Sequence, residues 1–273
     1  MGGLLIYPWL WSLYLSFHTW SLVSVDPIKF VGFENYIDIF SDSRFQLALK
    51  NTLLLTVTSV LGQFFLGFIL ALILNSISSR SANICLVILM IPMMLTPSIV
   101  SMVWRLLLHP EWGVISKYYL KLLNLPDIGF LTDPSVCLYT ISLIEIWQWT
   151  PFSMLILYAG LQALPNEPFE AAKVDGATNI QSFYYITLPY LRPLIVIILL
   201  FSTIRTLRAF DTIQSMFFGG GPGNSTLVLG VYLYENFQQT WELGKSSAIS
   251  YSMLMLTILF TLGFFIRLYK RID

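Results

Sequence analysis

The chain has 273 residues, of which 56% are hydrophobic and 11% are charged, and its mean hydropathy is +0.72. Ordinary soluble domains carry about 25% charged residues, so this composition argues against a soluble globular protein and indicates an integral membrane protein. The 15 basic and 15 acidic residues cancel, and the sequence has no polybasic block, which argues against a nucleic-acid partner and against electrostatic anchoring to anionic lipid.

In chain order, six segments are apolar and long enough to predict membrane-spanning helices. They lie at residues 2–19, 52–74, 84–108, 136–161, 193–210 and 247–268. A span must satisfy its own backbone hydrogen bonds because the bilayer core contains no water. A barrel would need short alternating strands, which these continuous runs do not show. The predicted fold is therefore an all-α polytopic bundle.

The first segment runs apolar to Phe17 without a basic region or a small-residue cleavage motif, so it predicts a span and not a removable signal peptide. At about 16 residues it is shorter than the roughly 20 that a span needs, which leaves a start further upstream open. Pro92 and Pro97 in the third segment and Pro151 in the fourth are expected to kink their helices and to shape a central cavity.

The distribution of Lys and Arg predicts the orientation in the membrane. The short connection 75–83 carries Arg80, and the C-terminal tail carries Arg267, Lys270 and Arg271. Both are therefore expected on the cytoplasmic side, together with the loop 162–192. The longer loops on the other side also hold basic residues, so the two sides differ only in how densely the basic residues occur.

The loop 162–192 is too long and too patterned for a simple connection. Pro165 and Pro168 end the preceding helix, and either Asn166 alone or the run Asn166-Glu167-Pro168 supplies the N-terminal signal for a new short one. Alanines at 171 and 172 favour a helix, and Gly176 is placed to end it.

A second amphipathic stretch follows Gly176, and Pro189 and Pro193 are expected to close it where the chain re-enters the membrane. Its candidate buried positions are Ile180, Phe183, Tyr184 and Ile186. Together, the two stretches predict a helix–turn–helix that lies along the cytoplasmic face.

This loop also carries a family resemblance. Glu170-Ala171-Ala172, three residues, Gly176, nine residues, Ile186, one residue and Leu188-Pro189 resemble the EAA loop of binding-protein-dependent ABC importer permeases at every position. The extended form, with Asp175-Gly176-Ala177, Gln181 and Phe183, is similar to the sugar branch, the maltose and glycerol-phosphate type permeases. Similar runs flank it at 147–152 and at 210–222, so the resemblance covers residues 46–268.

The resemblance implies a type I ABC importer transmembrane domain at 46–268, preceded by a first transmembrane helix and extracytoplasmic loop at 1–45 and followed by a cytoplasmic tail at 269–273. It also implies a coupling helix that docks in a cleft of a cytoplasmic ATPase. The residues implied in this contact are Glu170, Ala171, Ala172, Asp175 and Gly176. Small alanines allow close approach, and a carboxylate can meet a basic group across the interface. Alternatively, Glu170 caps its own helix and the alanines are only helix formers.

The function implied is a permease subunit in a prokaryotic cell membrane that imports a carbohydrate or a related polar solute by alternating access. The implied partners are a second related permease, two copies of the ATPase and an extracytoplasmic solute-binding protein.

Gly244-Lys245-Ser246 resembles the end of a phosphate-binding loop, but Gln239 stands where that motif needs glycine. ATP is therefore expected to be used by the partner, and this chain is expected to have no catalytic residue and no cofactor. The alternatives are an ion-coupled secondary transporter and a small membrane enzyme.

Ionisable residues inside or beside spans are expensive and often functional. Arg205, Arg208 and Asp211 follow at steps of three, which predicts one face of the fifth helix. Glu145, Gln148 and Trp149 do the same on the fourth helix. These six residues are the candidates for the translocation pathway.

Two of the charges have alternatives. Arg208 and Asp211 can instead form a structural ion pair, and Arg105 can extend towards the outer head groups. Cys85, Cys137, His18 and His109 are dispersed, so neither a disulfide framework nor a metal site is predicted.

Overall fold

The computed structural model describes residues 2–23, 26–124, 126 and 128–269, and it is helical over most of them. The predicted tail at 269–273 lies outside the described residues except for Tyr269. The helices are α1 (Gly2–Ser16), α2 (Glu34–Ser41), α3 (Ser43–Ser76), α4 (Ser79–Met94), α5 (Pro97–Leu107), α6 (Leu120–Leu122), α7 (Pro134–Gln162), α8 (Glu167–Val174), α9 (Asn179–Ser182), α10 (Leu188–Leu207), α11 (Asp211–Phe217), α12 (Leu229–Thr240) and α13 (Leu243–Tyr269). Two π-helical turns (Val114–Tyr119 and Phe183–Thr187), a 3-10 turn (Pro222–Asn224) and an antiparallel pair of strands, β1 (His18–Thr19) and β2 (Lys29–Phe30), complete the fold.

Within the described part of the chain, three helical stretches are both long and apolar enough to cross a membrane: Ser43–Ser76, Asn179–Leu207 and Leu243–Gly263. The pair α4 and α5 makes a fourth if it is counted as one bent span. Helix α7 has 29 residues, which is long enough for a span at about 1.5 Å per residue, and it buries a row of polar side chains against its neighbours. The predicted all-α polytopic architecture is confirmed.

The predicted third span breaks in two, and the parts meet at 92°. Pro97 is the first residue of α5, and Thr96 before it is extended, with ψ 145°, because proline disfavours the helical conformation of the preceding residue. The predicted connection 75–83 is also shorter than expected: α3 continues to Ser76, and the Ser78 side chain caps α4 by accepting the Ser81 N–H. Helix α7 runs through Pro151 without interruption.

Helices α3 and α7 pack together along much of their length and form the centre of the bundle. Gly67 permits this approach, since a Cβ atom there would lie 2.7 Å from the Ser153 Cβ. Small residues at such contacts are typical of packed membrane helices. Buried apolar side chains from α3, α7, α11, α12 and α13 form the larger core, and a smaller one joins α3, α7 and α10.

A polar network ties the start of α3 to α12. The Tyr232 hydroxyl donates to Asp42 Oδ2 at 2.6 Å, and the Arg44 backbone N–H donates to Asp42 Oδ1 at 2.8 Å. Arg44 pairs with Glu235 at 2.5 Å, and Glu235 also accepts the Gly220 N–H. Burial raises the pKa of Asp42, but the two hydrogen bonds and the nearby positive charges outweigh it, so the pKa lies below the ordinary 3.8.

Replacing Tyr232 with phenylalanine is expected to lower the free energy of unfolding by about 1.5–3 kcal/mol at neutral pH, the range for hydrogen bonds to charged groups. Folding lowers the pKa of Asp42 below 3.8, so the ionised carboxylate contributes its full stabilisation above pH 3.8. This stabilisation is lost as the pH falls through the lower pKa that Asp42 has in the folded state. Thermal unfolding in detergent between pH 7 and pH 3 measures this. Tyr234→Phe is the matched control, since the Tyr234 hydroxyl pairs only with Gln238 in the described structure. Equal losses for both variants at every pH would contradict the prediction.

Candidate functional site

The predicted helix–turn–helix is present after α7, and its turn has a defined geometry. Helix α8 ends where Gly176 adopts φ +77°. The Gly176 N–H bonds to the Lys173 carbonyl at 3.1 Å, and the Ala177 N–H bonds to the Ala172 carbonyl at 2.9 Å. These two bonds with a left-handed residue between them define a Schellman motif, in which glycine avoids the Cβ penalty.

The caps of the two short helices differ from the prediction. Asn166 occupies the N-cap position of α8, but its backbone is already helical and its side chain makes no capping bond. Thr178 and Gln181 form a reciprocal capping box at the start of α9. Sequence reasoning missed this box, although Thr178-x-x-Gln181 is its ordinary signature.

The second helix of this unit does not stop at the membrane, so the prediction that Pro189 and Pro193 close it is wrong. Helix α9, the π-helical turn Phe183–Thr187 and α10 form one continuous stretch of 29 residues, Asn179–Leu207. Pro189 has no N–H for the normal helical bond. Just before it the Leu188 N–H reaches back to the Phe183 carbonyl, and such wider turns relieve local conflicts in helices.

The surface of this unit is open. The five residues of the predicted ATPase contact are exposed or, for Ala172, partly exposed. Ile180 and Tyr184, which were predicted to be buried, are 70% and 60% exposed, whereas Phe183 packs edge-on against Phe68. The most exposed apolar side chains of the unit are Val174, Ile180, Tyr184 and Tyr185. No described residue hydrogen-bonds or ion-pairs with the Glu170 carboxylate, so local capping lacks the bond that it requires. These four apolar side chains are therefore not covered by the described part of the chain.

A second group of candidates meets in the middle of the bundle, in what we call the Glu145 cluster: Gln63, Glu145, Trp149, Arg205 and Thr212. The Glu145 side chain is 2% exposed, and its Oε2 pairs with Arg205 Nη1 at 2.6 Å. Its Oε1 accepts the Thr212 hydroxyl at 2.7 Å. Gln63 joins the pair by donating to the Glu145 backbone carbonyl and accepting from Arg205, and the guanidinium lies 4.2 Å from the Trp149 ring centroid. The ion pair thus joins α7 to α10, and the hydrogen bonds of Gln63 and Thr212 add α3 and α11.

Gln148, one turn after Glu145, supports the bend between α4 and α5. It is fully buried, and its Nε2 donates to the Leu95 carbonyl at 2.9 Å. The break between α4 and α5 leaves this carbonyl without a helical N–H donor. Sequence reasoning missed Gln63 and Thr212 in the cluster, since isolated polar residues in apolar runs carry no signal of their partners. Whether these residues contact a transported solute stays a prediction.

The third candidate group does not share one helix face, contrary to the prediction. Helix α10 ends at Leu207, Arg208 is its C-cap, and Asp211 begins α11 after a turn. Ion pairs between described residues are Arg44–Glu235 and Arg205–Glu145, so the alternative pair of Arg208 with Asp211 does not form. The guanidinium of Arg105 lies 4.5 Å from the centroid of the Phe218 ring.

The loop that follows the glycine-rich stretch 219–223 is held by Asn51, another polar residue that the sequence did not mark as important. Its side-chain amide donates towards the carbonyls of Asn224, Ser225 and Leu227 at 3.0–3.4 Å. Gly221 and Gly223 have positive φ angles of 69° and 60°. This loop therefore closes over α3 as a fixed structure between α11 and α12.

Comparisons with known proteins agree along the chain. Residues 63–272 match the family described as binding-protein-dependent transport system inner membrane component. The sulfoquinovosyl glycerol transport system permease protein SmoG of Agrobacterium fabrum is 38% identical over 258 residues, which are 94% of this chain and 83% of SmoG. A crystal structure of a bacterial ABC transporter involved in the import of the acidic polysaccharide alginate has a chain with the same fold, with a TM-score of 0.83 at 24% identity over 98% of this chain and 90% of that one.

A second alginate transporter structure, in complex with an alginate pentasaccharide-bound periplasmic protein, matches with a TM-score of 0.76 at 26% identity. The match covers 85% of this chain and 81% of that one.

Proposed function

Because the chain belongs to the family of binding-protein-dependent transport system inner membrane components, we propose that it is the permease subunit of an ATP-driven importer for a carbohydrate or a related polar solute. The observation that carries the proposal is the exposed α8–α9 unit. It presents a carboxylate, small alanines and uncovered apolar side chains at one end of the continuous stretch Asn179–Leu207. An exposed surface joined directly to a candidate span suits a part that receives motion from a partner.

We assign the contact with the ATPase to Glu170, Ala171, Ala172, Asp175 and Gly176. The exposed Val174 and Ile180 flank these residues and supply the apolar part of the contact, while Glu170 supplies a charge for a basic partner. This assignment puts the α8–α9 unit and the C-terminus on the cytoplasmic side. ATP is used by the partner, and the permease is proposed to need no cofactor of its own.

The proposed assembly contains this chain, a second related permease, two ATPase subunits and an extracytoplasmic solute-binding protein. The periplasmic protein in the alginate transporter structure supports the last of these partners, and the names of SmoG and of the alginate transporters support a saccharide as the solute. ATP binding closes the ATPase pair, the α8–α9 unit moves with it, and the bundle exchanges inward and outward openings.

The test reconstitutes the complete importer in proteoliposomes with the loaded binding protein on one side and ATP on the other. We expect accumulation of solute that requires ATP, stops when the catalytic carboxylate of the ATPase is replaced, and is unchanged by ionophores. A binding screen on the solute-binding protein with disaccharides, oligosaccharides, polyols and glycerol phosphate first selects the solute. Uptake by this chain alone, driven by an ion gradient, would favour a secondary transporter instead.

A further inference from the structure

Arg208 occupies an unusual place, at the break between α10 and α11 where two clefts meet. One cleft, of ≈ 400 Å³, lies among α1, α12 and α13 and is lined by Trp9, Ser12 and Ser250 among others. The other, of ≈ 440 Å³, is lined by Phe210, Tyr234 and Phe237 among others. Arg208 is exposed, and it is the only charged residue that lines either cleft in the described structure.

The first cleft runs along a candidate membrane span. Helix α13 begins at Leu243, and its residues in the first cleft extend from Ser250 to Thr257. At about 1.5 Å per residue they lie roughly 10–21 Å from the start of the helix, inside the candidate span Leu243–Gly263. A charge beside a span is costly where it faces lipid, and such charges are found mostly in water-filled cavities or against a partner.

The guanidinium of Arg208 makes no hydrogen bond or ion pair with the described residues. Arg205, one turn earlier, contrasts with it, because it pairs with Glu145 and lies over Trp149. A favourable interaction with the C-terminal end of α10 explains a positive charge at this position, but none of the described residues accepts a hydrogen bond from the guanidinium. They point to a ligand that brings its own acceptors.

We propose that Arg208 binds an anionic group, a carboxylate, sulfonate or phosphate, carried by the saccharide that the permease transports. A guanidinium matches such groups with two parallel hydrogen bonds. The rings of Trp9 and Tyr234 offer apolar faces for a sugar ring, and the hydroxyls of Ser12 and Ser250 lie in the same cleft as Arg208. This inference rests on the proposed import function and narrows its substrate to acidic saccharides.

The test uses the complete importer in proteoliposomes with its binding protein and a mixture of uronic-acid, sulfonated and phosphorylated saccharides together with their neutral counterparts. Mass spectrometry of the contents reports which members accumulate. We expect the wild type to accumulate acidic members and Arg208→Gln to lower that accumulation about ten- to hundredfold, as for loss of a charge-assisted hydrogen bond. Arg208→Lys should retain more, and the exposed control Lys121→Gln should match the wild type.

Three results would overturn the inference. The first is ATP-dependent accumulation of neutral saccharides only, and the second is import of acidic saccharides by the Arg208→Gln variant at the wild-type rate. The third is no ATP-dependent accumulation of any saccharide, which would remove the proposed import function as well. Elution of each variant as an intact complex, with the thermal stability of the wild type in detergent, separates a specific effect from misfolding.

Cysteine labelling provides an independent measurement. Cys85 and Cys137 are first replaced by alanine, and Arg208→Cys is then treated with a membrane-impermeant thiol reagent in the nucleotide-free and the ATP-trapped complex. We expect labelling in at least one state and slower labelling when the imported acidic saccharide is present. Complete protection in both states would place position 208 away from water and would contradict the inference.

Discussion

Replacing Arg205 with alanine is expected to lower the free energy of unfolding by about 3–5 kcal/mol, because it leaves Glu145 buried without its counter-charge. The carboxylate is 2% exposed, and Thr212 alone would remain on its side-chain oxygens. The Trp149 face would also lose its cation. Thermal or denaturant unfolding of the purified permease in detergent measures the change.

The matched control for this prediction is Arg44→Ala, which breaks the ion pair with Glu235. The two side chains of that pair are 40% and 19% exposed, and exposed pairs contribute about 0–1 kcal/mol. A double-mutant cycle with Glu145→Gln and Arg205→Gln isolates the coupling between the buried partners. Similar losses for Arg205→Ala and Arg44→Ala would mean that the Glu145 cluster does not hold the four helices together.

Replacing Glu170 with arginine, which reverses the charge, is expected to reduce ATP-driven import at least about hundredfold. This matches the loss of affinity when one partner of a buried interfacial charge pair is removed. Glu170 is exposed in this chain and lies on α8, which buries none of its residues, so the fold itself should be unaffected. The measurements are import into proteoliposomes and the stimulation of ATPase activity by the loaded binding protein.

Glu111→Arg makes the same charge change on an exposed residue of another loop, and we expect it to import normally. Gly176→Val tests the turn separately, since a branched residue at φ +77° adds about 1–2 kcal/mol of backbone strain. Normal import and normal ATPase stimulation by the Glu170→Arg importer would remove the coupling assignment.

Local signals predicted the architecture well. Gly176 ends α8 as predicted, and a local effect of proline was expected at Pro97, because the conformational limits of glycine and proline act within one or two residues. The predicted kink at Pro97 is in fact a break that starts a separate helix, α5. The resemblance read from Glu170 to Pro189 is confirmed by the family match over 63–272. The predicted end of the second helix was wrong, because α10 continues through Pro193. The π-helical turn at 183–187 precedes α10, and no local sequence rule predicts it.

Tertiary relations were beyond the sequence. Gln63 and Arg205 are 142 positions apart, and neither carries a mark that identifies the other. The exposure of Ile180 and Tyr184 illustrates a different limit, because an amphipathic pattern shows that an apolar face will be covered but not whether its own chain or another subunit covers it. The charged pathway candidates were found as ionisable residues in apolar surroundings, whereas the pairing of Arg205 with Glu145 and the open position of Arg208 needed the three-dimensional structure.

The continuous stretch Asn179–Leu207 joins α9 and α10 into one long helix. Its 29 residues extend over about 43 Å at 1.5 Å per residue, so a tilt of about 10° at the exposed end would shift the opposite end by roughly 7 Å. Arg205 and Arg208 are at that opposite end. If the stretch moves as one body across the π-helical turn at Phe183–Thr187, a small rotation imposed at Ile180 would move the Glu145 ion pair and Arg208 together.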